Sequence, residues 1–125
     1  MTSGKPMSIL VSGDLVLDEP DAGHWLSAIA PAVQAADVAI GHLEVPHSLR
    51  GAELKGDVPA PGAPPENLDA IAAAGFAMLS LAGNHMADCG AEGIADTRAG
   101  LSRLGIAHAG AGASPSEARA PALSS

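Results

Sequence analysis

The sequence is poor in aromatic residues: it has one tryptophan, one phenylalanine and no tyrosine among its 125 residues. Proteins that bind single-stranded nucleic acids usually stack the bases on aromatic side chains, so this scarcity argues against that class of partner. The core must be built from aliphatic side chains and alanine, which bury less area per residue than aromatic rings do. We therefore expect a domain of modest stability.

Basic residues are also scarce, since six lysines and arginines stand against 14 acidic residues and give a formal net charge of -8. They form no cluster, whereas binding to nucleic acids or to anionic membranes by electrostatics requires a basic face. We therefore expect no nucleic-acid partner. An acidic protein that handles phosphate needs another source of positive charge, such as a metal ion or a helix N-terminus.

The sequence also has little cysteine and no long apolar segment. Cys89 is the single cysteine, so no disulfide can form within the chain. The apolar run at residues 9–11 is too short for a signal peptide, and no segment has the length of a membrane span. We expect a cytoplasmic protein without membrane insertion.

Four apolar segments have the length and composition of β-strands, and helical patterns lie between them. The first, residues 8–17, is apolar almost throughout, which is typical of a strand buried on both faces of a parallel sheet. The other strands are predicted at residues 38–44, 77–82 and 106–112. The segments between strands are long enough for the crossover connections that parallel pairing requires.

Three helices are predicted between these strands. Residues 22–36 carry apolar side chains at the spacing of an amphipathic helix, and Pro31 within them predicts a kink or a later start. The other two helices are predicted at residues 64–75 and 90–104, where glycines mark the ends. A short capped helix is predicted near residues 114–117.

The order β-α-β-α-β-α-β is typical of an α/β fold with a mainly parallel sheet and right-handed crossovers. Residues 45–65 are rich in proline and glycine and have no periodicity, so they are predicted to form a long loop. Loops of this length in compact domains are often functional. The length of the chain, residues 1–125, suits a single domain.

Polar side chains follow three of the four predicted strands at their carboxyl ends. Asp14 ends the first strand, His42 and Glu44 end the second, and Asn84 and His85 follow the third. Ligands of open α/β sheets bind outside the carboxyl ends of the strands, where these groups would meet. Carboxylates, an amide oxygen and imidazole suit a divalent cation, for which we expect Mn²⁺, with Zn²⁺ or Mg²⁺ as alternatives.

Each of these residues also has a structural interpretation. Asp14 could be a turn residue, His42 a hydrogen-bonded core histidine, and Glu44 a solvated strand end. Asp88 is predicted to be the N-cap of the helix that starts near residue 90, and Cys89 a small packed residue. The metal-site prediction depends on the coincidence of three strand ends and not on any one residue.

The motifs at these strand ends resemble those of the CapA family. Its members are the poly-gamma-glutamate capsule synthesis proteins, which are related to calcineurin-like metallophosphoesterases. The resemblance covers about residues 8–122. The motifs that carry it are residues 13–14 (GD), 41–46 (GHLEVP), 81–90 (LAGNHMADCG), 93–97 (GIADT) and 105–112 (GIAHAGAG).

This resemblance implies a four-layer α/β/β/α sandwich that holds one or two divalent metals and acts on a phosphate-containing small molecule or polymer precursor. It implies that Asp14 is a metal ligand and that Glu44 is a carboxylate near the metals. Asn84 would ligate a metal and approach the phosphate, and His85 would be a general acid or a phosphate contact. His42 could also ligate a metal.

The sequence departs from the family pattern in several places. The family usually has asparagine at the positions of His42 and Gly83, and the wider superfamily has histidine at the position of Val16. The histidine motifs of the second half of such a domain are absent from these residues. We therefore expect an incomplete metal shell, one uncovered sheet face, and little activity unless a second chain or a missing C-terminal half completes the fold.

The sequence therefore leaves three candidate functions. The first is a metal-dependent phosphoesterase-like protein of capsule or cell-envelope metabolism. The second is a non-catalytic binding module that keeps the front half of the fold. The third is a nucleotide-binding α/β domain that uses residues 110–113 (GAGA) as a phosphate loop, although this segment lacks a third glycine and follows the fourth strand.

Overall fold

The computed structural model describes residues 4–51 and 62–124, which contain a four-stranded sheet with helices packed against it. The strands lie side by side in chain order, and every neighbouring pair is parallel. They are β1 (Ile9–Leu15), β2 (Val38–Leu43), β3 (Met78–Ser80) and β4 (Ala107–Ala109). The predicted α/β class and the alternating order are therefore confirmed.

The helices connect the strands as predicted, with one subdivision. The described residues contain α1 (Ala22–Leu26), α2 (Ala30–Ala35), α3 (Leu68–Ala74), α4 (Gly90–Arg103) and α5 (Pro115–Arg119). The segment predicted as one helix is thus split into α1 and α2, and Pro31 lies in the first turn of α2. Proline fits there because the first turn does not use its missing N–H. None of these helices is long and apolar enough to cross a membrane.

The strand order places the first four helices on one face of the sheet. Right-handed crossovers that always step to the next strand in the same direction leave every connecting helix on the same side. The buried cluster agrees with this, because alternate residues of the strands, such as Ala39 and Leu79, pack with helix residues such as Leu68 and Leu101. The opposite face of the described sheet has no such helical layer.

Strand β1 is therefore less buried than its sequence predicts. Ile9 and Val11 are 55% and 71% exposed, so the prediction of burial on both faces is wrong for this strand. The physical reason is its position, since β1 is the edge strand and these side chains point to the uncovered face. The expectation of one uncovered sheet face is met in the described residues.

The core is aliphatic, as the composition predicts. The largest fully buried side chains are mainly leucine, isoleucine and methionine. Phe76 is buried among them, whereas Trp25 is 61% exposed and donates its indole N–H to the carbonyl of Pro20. The side-chain amide of Asn67, which is also buried, donates hydrogen bonds to the carbonyls of Leu17 and Glu19. These bonds fix the segment that follows β1.

The loop after β2 is anchored where the structure describes it, and residues 52–61 of the predicted loop lie outside the described residues. Arg50 donates two hydrogen bonds to Asp96 of α4, and Ser48 donates a third. These donors lower the pKa of Asp96 to about 2, the Arg50 bond having the largest effect. The path of the chain beyond the second strand end is thereby fixed to α4.

Candidate metal centre

Asp14 and His42 lie opposite each other because the pairing of β1 and β2 is irregular. Val11 pairs with Ile40, but Asp14, three residues later, pairs with His42, which is only two residues later. Such an extra residue is a β-bulge, and it changes the face to which the following side chains point. Regular pairing would place Asp14 opposite Leu43, on the face that the helices cover.

Three side chains converge on the uncovered face at this point. Glu44 directly follows β2, and the alternation of a strand puts it on the same face as His42. Ligand atoms of Asp14, His42 and Glu44 all lie within 4.8 Å of one another. His42 Nε2 is 2.8 Å from Glu44 Oε2, and these two side chains are 20% and 15% exposed, whereas Asp14 is open to solvent.

This group of donors fits a divalent cation. Two ligand atoms that bind one ion at about 2.1 Å lie roughly 3–3.5 Å apart, so the three groups need only small side-chain rotations to share an ion. Two carboxylates and one imidazole suit Mn²⁺ or Zn²⁺. Three protein ligands also leave coordination positions for a substrate, which is the arrangement of catalytic sites.

The turn after β3 touches this group directly. A Cβ atom placed on Gly83 would lie 2.6 Å from His42 Nε2 and 3.1 Å from Glu44 Oε2. The turn also carries Asn84, which is exposed, and leads into a short 3₁₀ helix, His85–Ala87. The third strand end therefore meets the second at the carboxyl edge of the sheet, as predicted.

His85 is paired with a buried carboxylate. Its Nδ1 is 2.7 Å from Asp88 Oδ2, and the Asp88 side chain is only 4% exposed. A carboxylate in this position fixes the orientation of the imidazole ring. The other carboxylate oxygen of Asp88, Oδ1, is buried and has no hydrogen-bond partner in the described residues.

The predicted N-cap role of Asp88 is wrong. The N-cap of α4 is Cys89, and no side chain caps this helix end. Asp88 has helical backbone angles, φ -62° and ψ -27°, whereas an N-cap residue has an extended backbone that lets its side chain reach the free N–H groups. Its carboxylate binds His85 instead, a pairing indicated by the three-residue spacing on one helical turn.

The structure thus brings together three of the five predicted site residues, Asp14, His42 and Glu44. Asn84 and His85 lie on the adjoining turn. His85 is outside the group of carboxylate and imidazole atoms that could share one ion in the described part of the chain. The catalytic roles of Asn84 and His85 remain predictions.

His47 and Cys89 are both buried, and the prediction that Cys89 is a small packed residue agrees with this. The backbone N–H of His47 donates to Thr97 Oγ1 at 2.8 Å, and its ring Nδ1 lies 3.2 Å from the carbonyl oxygen of Val45. Burial lowers the pKa of His47 to about 4, so the ring is neutral at physiological pH. His47 therefore holds the loop after β2 as a neutral, buried residue.

In the segment proposed as a phosphate loop, residues 110–113, the N–H groups of the first and last residues are engaged elsewhere. Gly110 donates to the carbonyl of Ala118, and the N–H of Ala113 donates to Glu117 Oε2 at 3.0 Å. A carboxylate therefore occupies a donor that a phosphate would need. The described sheet also lacks the reversal of strand order at which α/β sheets bind dinucleotides. Neither observation favours nucleotide binding.

The fold and this centre together define an α/β protein with a candidate metal-binding group, formed by Asp14, His42 and Glu44, at the carboxyl edge of a parallel sheet. Comparison with known families gives a match to the bacterial capsule synthesis protein family, PGA_cap, over residues 8–125. The chain belongs to this family. The resemblance to CapA proteins drawn from the strand-end motifs is therefore confirmed. Comparison with individually curated proteins finds no match.

Proposed function

We propose that this capsule synthesis family member is a metal-dependent phosphoesterase-like protein of capsule or cell-envelope metabolism. The observation that supports this most is the convergence of Asp14, His42 and Glu44 within 4.8 Å, beside the turn that carries Asn84 and His85. A phosphate-containing small molecule or polymer precursor is the proposed substrate. Mn²⁺ is the proposed ion because the donors are mixed oxygen and nitrogen.

The proposed roles follow from the chemistry of each group. Asp14, His42 and Glu44 hold the ion, and a divalent ion supplies positive charge to phosphoryl oxygens in an otherwise acidic protein. Asn84 donates its amide to a phosphate oxygen. In the proposed step a water molecule would attack the phosphorus and form the new P–O bond, and the bond to the leaving oxygen would break. His85, oriented by Asp88, would give a proton to that leaving oxygen, and the proton of the attacking water would pass to solvent.

The test is hydrolysis of an aryl phosphate with and without added Mn²⁺. We expect hydrolysis by the protein to require the ion and to fall about 10²-fold or more in His85→Ala, the usual range for loss of a general acid. Asp18→Ala is the matched control, because this exposed carboxylate follows β1 but lies outside the metal-binding group. Hydrolysis that is absent, or that is equal with and without Mn²⁺, would refute the catalytic proposal.

A second candidate is a non-catalytic metal-binding module. The solvent exposure of Asp14 favours it, because hydrolytic sites usually exclude bulk water when substrate is bound. This candidate predicts Mn²⁺ binding without hydrolysis. Calorimetric titration with Mn²⁺ alongside the hydrolysis assay therefore separates the two functions.

A further inference from the structure

Gly83, in the turn after β3, lies directly beside His42 and Glu44 of the metal-binding group. A Cβ atom at this position would lie 2.6 Å from His42 Nε2, 2.9 Å from His42 Cε1 and 3.1 Å from Glu44 Oε2. Favourable contacts between such atoms begin near 3.5 Å. Gly83 is not among the glycines with positive φ, so its backbone conformation is open to other residues. The absence of a side chain at position 83 leaves room for the His42 ring.

The His42 imidazole would have to move to make room for such an atom. His42 lies on β2, which is paired on both sides, and its register partners are Asp14 on β1 and Ser80 on β3. Its Nε2 is the atom bonded to Glu44 and also the atom nearest the glycine. A side chain at position 83 would therefore turn the ring away from both carboxylates.

We propose that Gly83 determines the metal preference of the group by leaving the space that an imidazole needs. This proposal rests on the proposed metal site. With His42 in place, the site offers one nitrogen and carboxylate oxygens, which favours Mn²⁺ and Zn²⁺ over Mg²⁺. With the ring displaced, Asp14 and Glu44 leave an all-oxygen site, which suits Mg²⁺ comparatively better.

The experiment measures Mn²⁺ and Mg²⁺ affinities by calorimetric titration in the wild type, Gly83→Ala, His42→Asn and the double variant. Gly83→Ala should weaken Mn²⁺ binding by about tenfold or more and Mg²⁺ binding by less than about threefold. In the His42→Asn background, the same substitution should change Mn²⁺ affinity by less than about twofold, because asparagine is shorter and leaves room for the methyl group. Such non-additivity is the signature of a direct interaction.

A matched control and a metal-free readout complete the test. Gly23→Ala adds the same methyl group where nothing lies within 4 Å, so it should leave both affinities unchanged. The ring ¹⁵N signals of His42 in the metal-free protein should move in Gly83→Ala, while those of His24 and His108 stay in place.

An unchanged ratio of Mn²⁺ to Mg²⁺ affinity in folded Gly83→Ala would overturn the proposal, as would an equal loss in the His42→Asn background. If the wild type binds neither ion, the proposed function and the metal preference both fail. The ¹⁵N signals then still decide separately whether Gly83 positions the His42 ring.

Discussion

At the residue scale, the pairing of His85 with Asp88 is the feature most open to test. The carboxylate is buried and lies 2.7 Å from Nδ1, so it controls the orientation of the ring. An exposed histidine without such a partner would sample several rotamers. The pairing with Asp88 therefore favours a chemical role for His85 over that of an ordinary surface residue.

We predict that Asp88→Asn lowers Mn²⁺-dependent aryl phosphate hydrolysis by about tenfold or more, because the ring loses its charged partner. Mn²⁺ affinity, measured by titration, should change by less than about threefold, since Asp88 is outside the metal-binding group. The acidic and basic limits of the pH–rate profile should also shift. An unchanged profile together with a lower melting temperature would assign Asp88 a purely structural role.

His47 gives a second prediction at this scale, because burial lowers its pKa from 6.5 to about 4. Between these values the unfolded chain binds the proton and the folded protein does not, so stability is complete above about pH 6.5 and falls as the pH drops toward 4. The loss should be on the order of 3 kcal/mol. Urea unfolding of the wild type and of His47→Leu at several pH values checks this, and an identical pH dependence in the variant would contradict it.

At the scale of elements, the uneven burial of β1 and β2 decides how substitutions in them act. Val11 of β1 points to the uncovered face, whereas Leu43 of β2 is completely buried against the helices. The two side chains belong to neighbouring strands of one sheet. Substitutions at these two positions therefore compare how much each face of the sheet contributes to the free energy of unfolding.

We predict that Val11→Thr changes the free energy of unfolding by less than about 0.5 kcal/mol, the usual range for exposed positions. Leu43→Ala should cost about 2–5 kcal/mol, because it removes buried methyl groups and leaves a cavity. Chemical denaturation of the metal-free proteins measures both. A cost above about 2 kcal/mol for Val11→Thr would mean that another layer covers this face in solution.

The β-bulge between Val11 and Asp14 is the other decisive feature at this scale. It interrupts the alternation of β1, so that Asp14 lies beside His42 on the uncovered face. A strand without the extra residue would direct this carboxylate toward the helices, where an unpaired charge is costly. The bulge is thus the local reason why the first and second strand ends share one group.

At the scale of the whole molecule, the metal-binding group joins elements that are distant in sequence. Asp14 comes from β1, His42 from β2 and Glu44 from the residue after β2, and the turn at Gly83 follows β3. An ion bound by this group would be released on unfolding, because the unfolded chain does not hold these residues together. Binding of an ion by this group would therefore stabilise the fold.

We predict that Mn²⁺ raises the melting temperature in a concentration-dependent way, with about 2.7 kcal/mol of added stability at 100 times the dissociation constant. Asp14→Ala should abolish most of this increase, whereas Asp18→Ala should retain it, since Asp18 is outside the group. Thermal unfolding followed by circular dichroism in a Mn²⁺ series measures the effect. Equal stabilisation of the two variants would place the ion elsewhere.

The sequence by itself determined the class of fold and the chemistry of the strand ends. Apolar segments alternating with helical patterns specify parallel strands, and short-range signals such as Pro31 and Gly75 specify where helices begin and end. The motifs around Asp14, Glu44 and His85 also identify the family. These features depend on local patterns, which a sequence displays directly.

Only the tertiary structure decided which side chains meet and which face of the sheet is covered. Strand register is set by pairing between distant segments, so the bulge that turns Asp14 toward His42 has no local signal. The same holds for the fit of Gly83 against the His42 ring. Each depends on contacts between residues that are distant in the sequence, and the sequence alone does not specify which distant residues become neighbours.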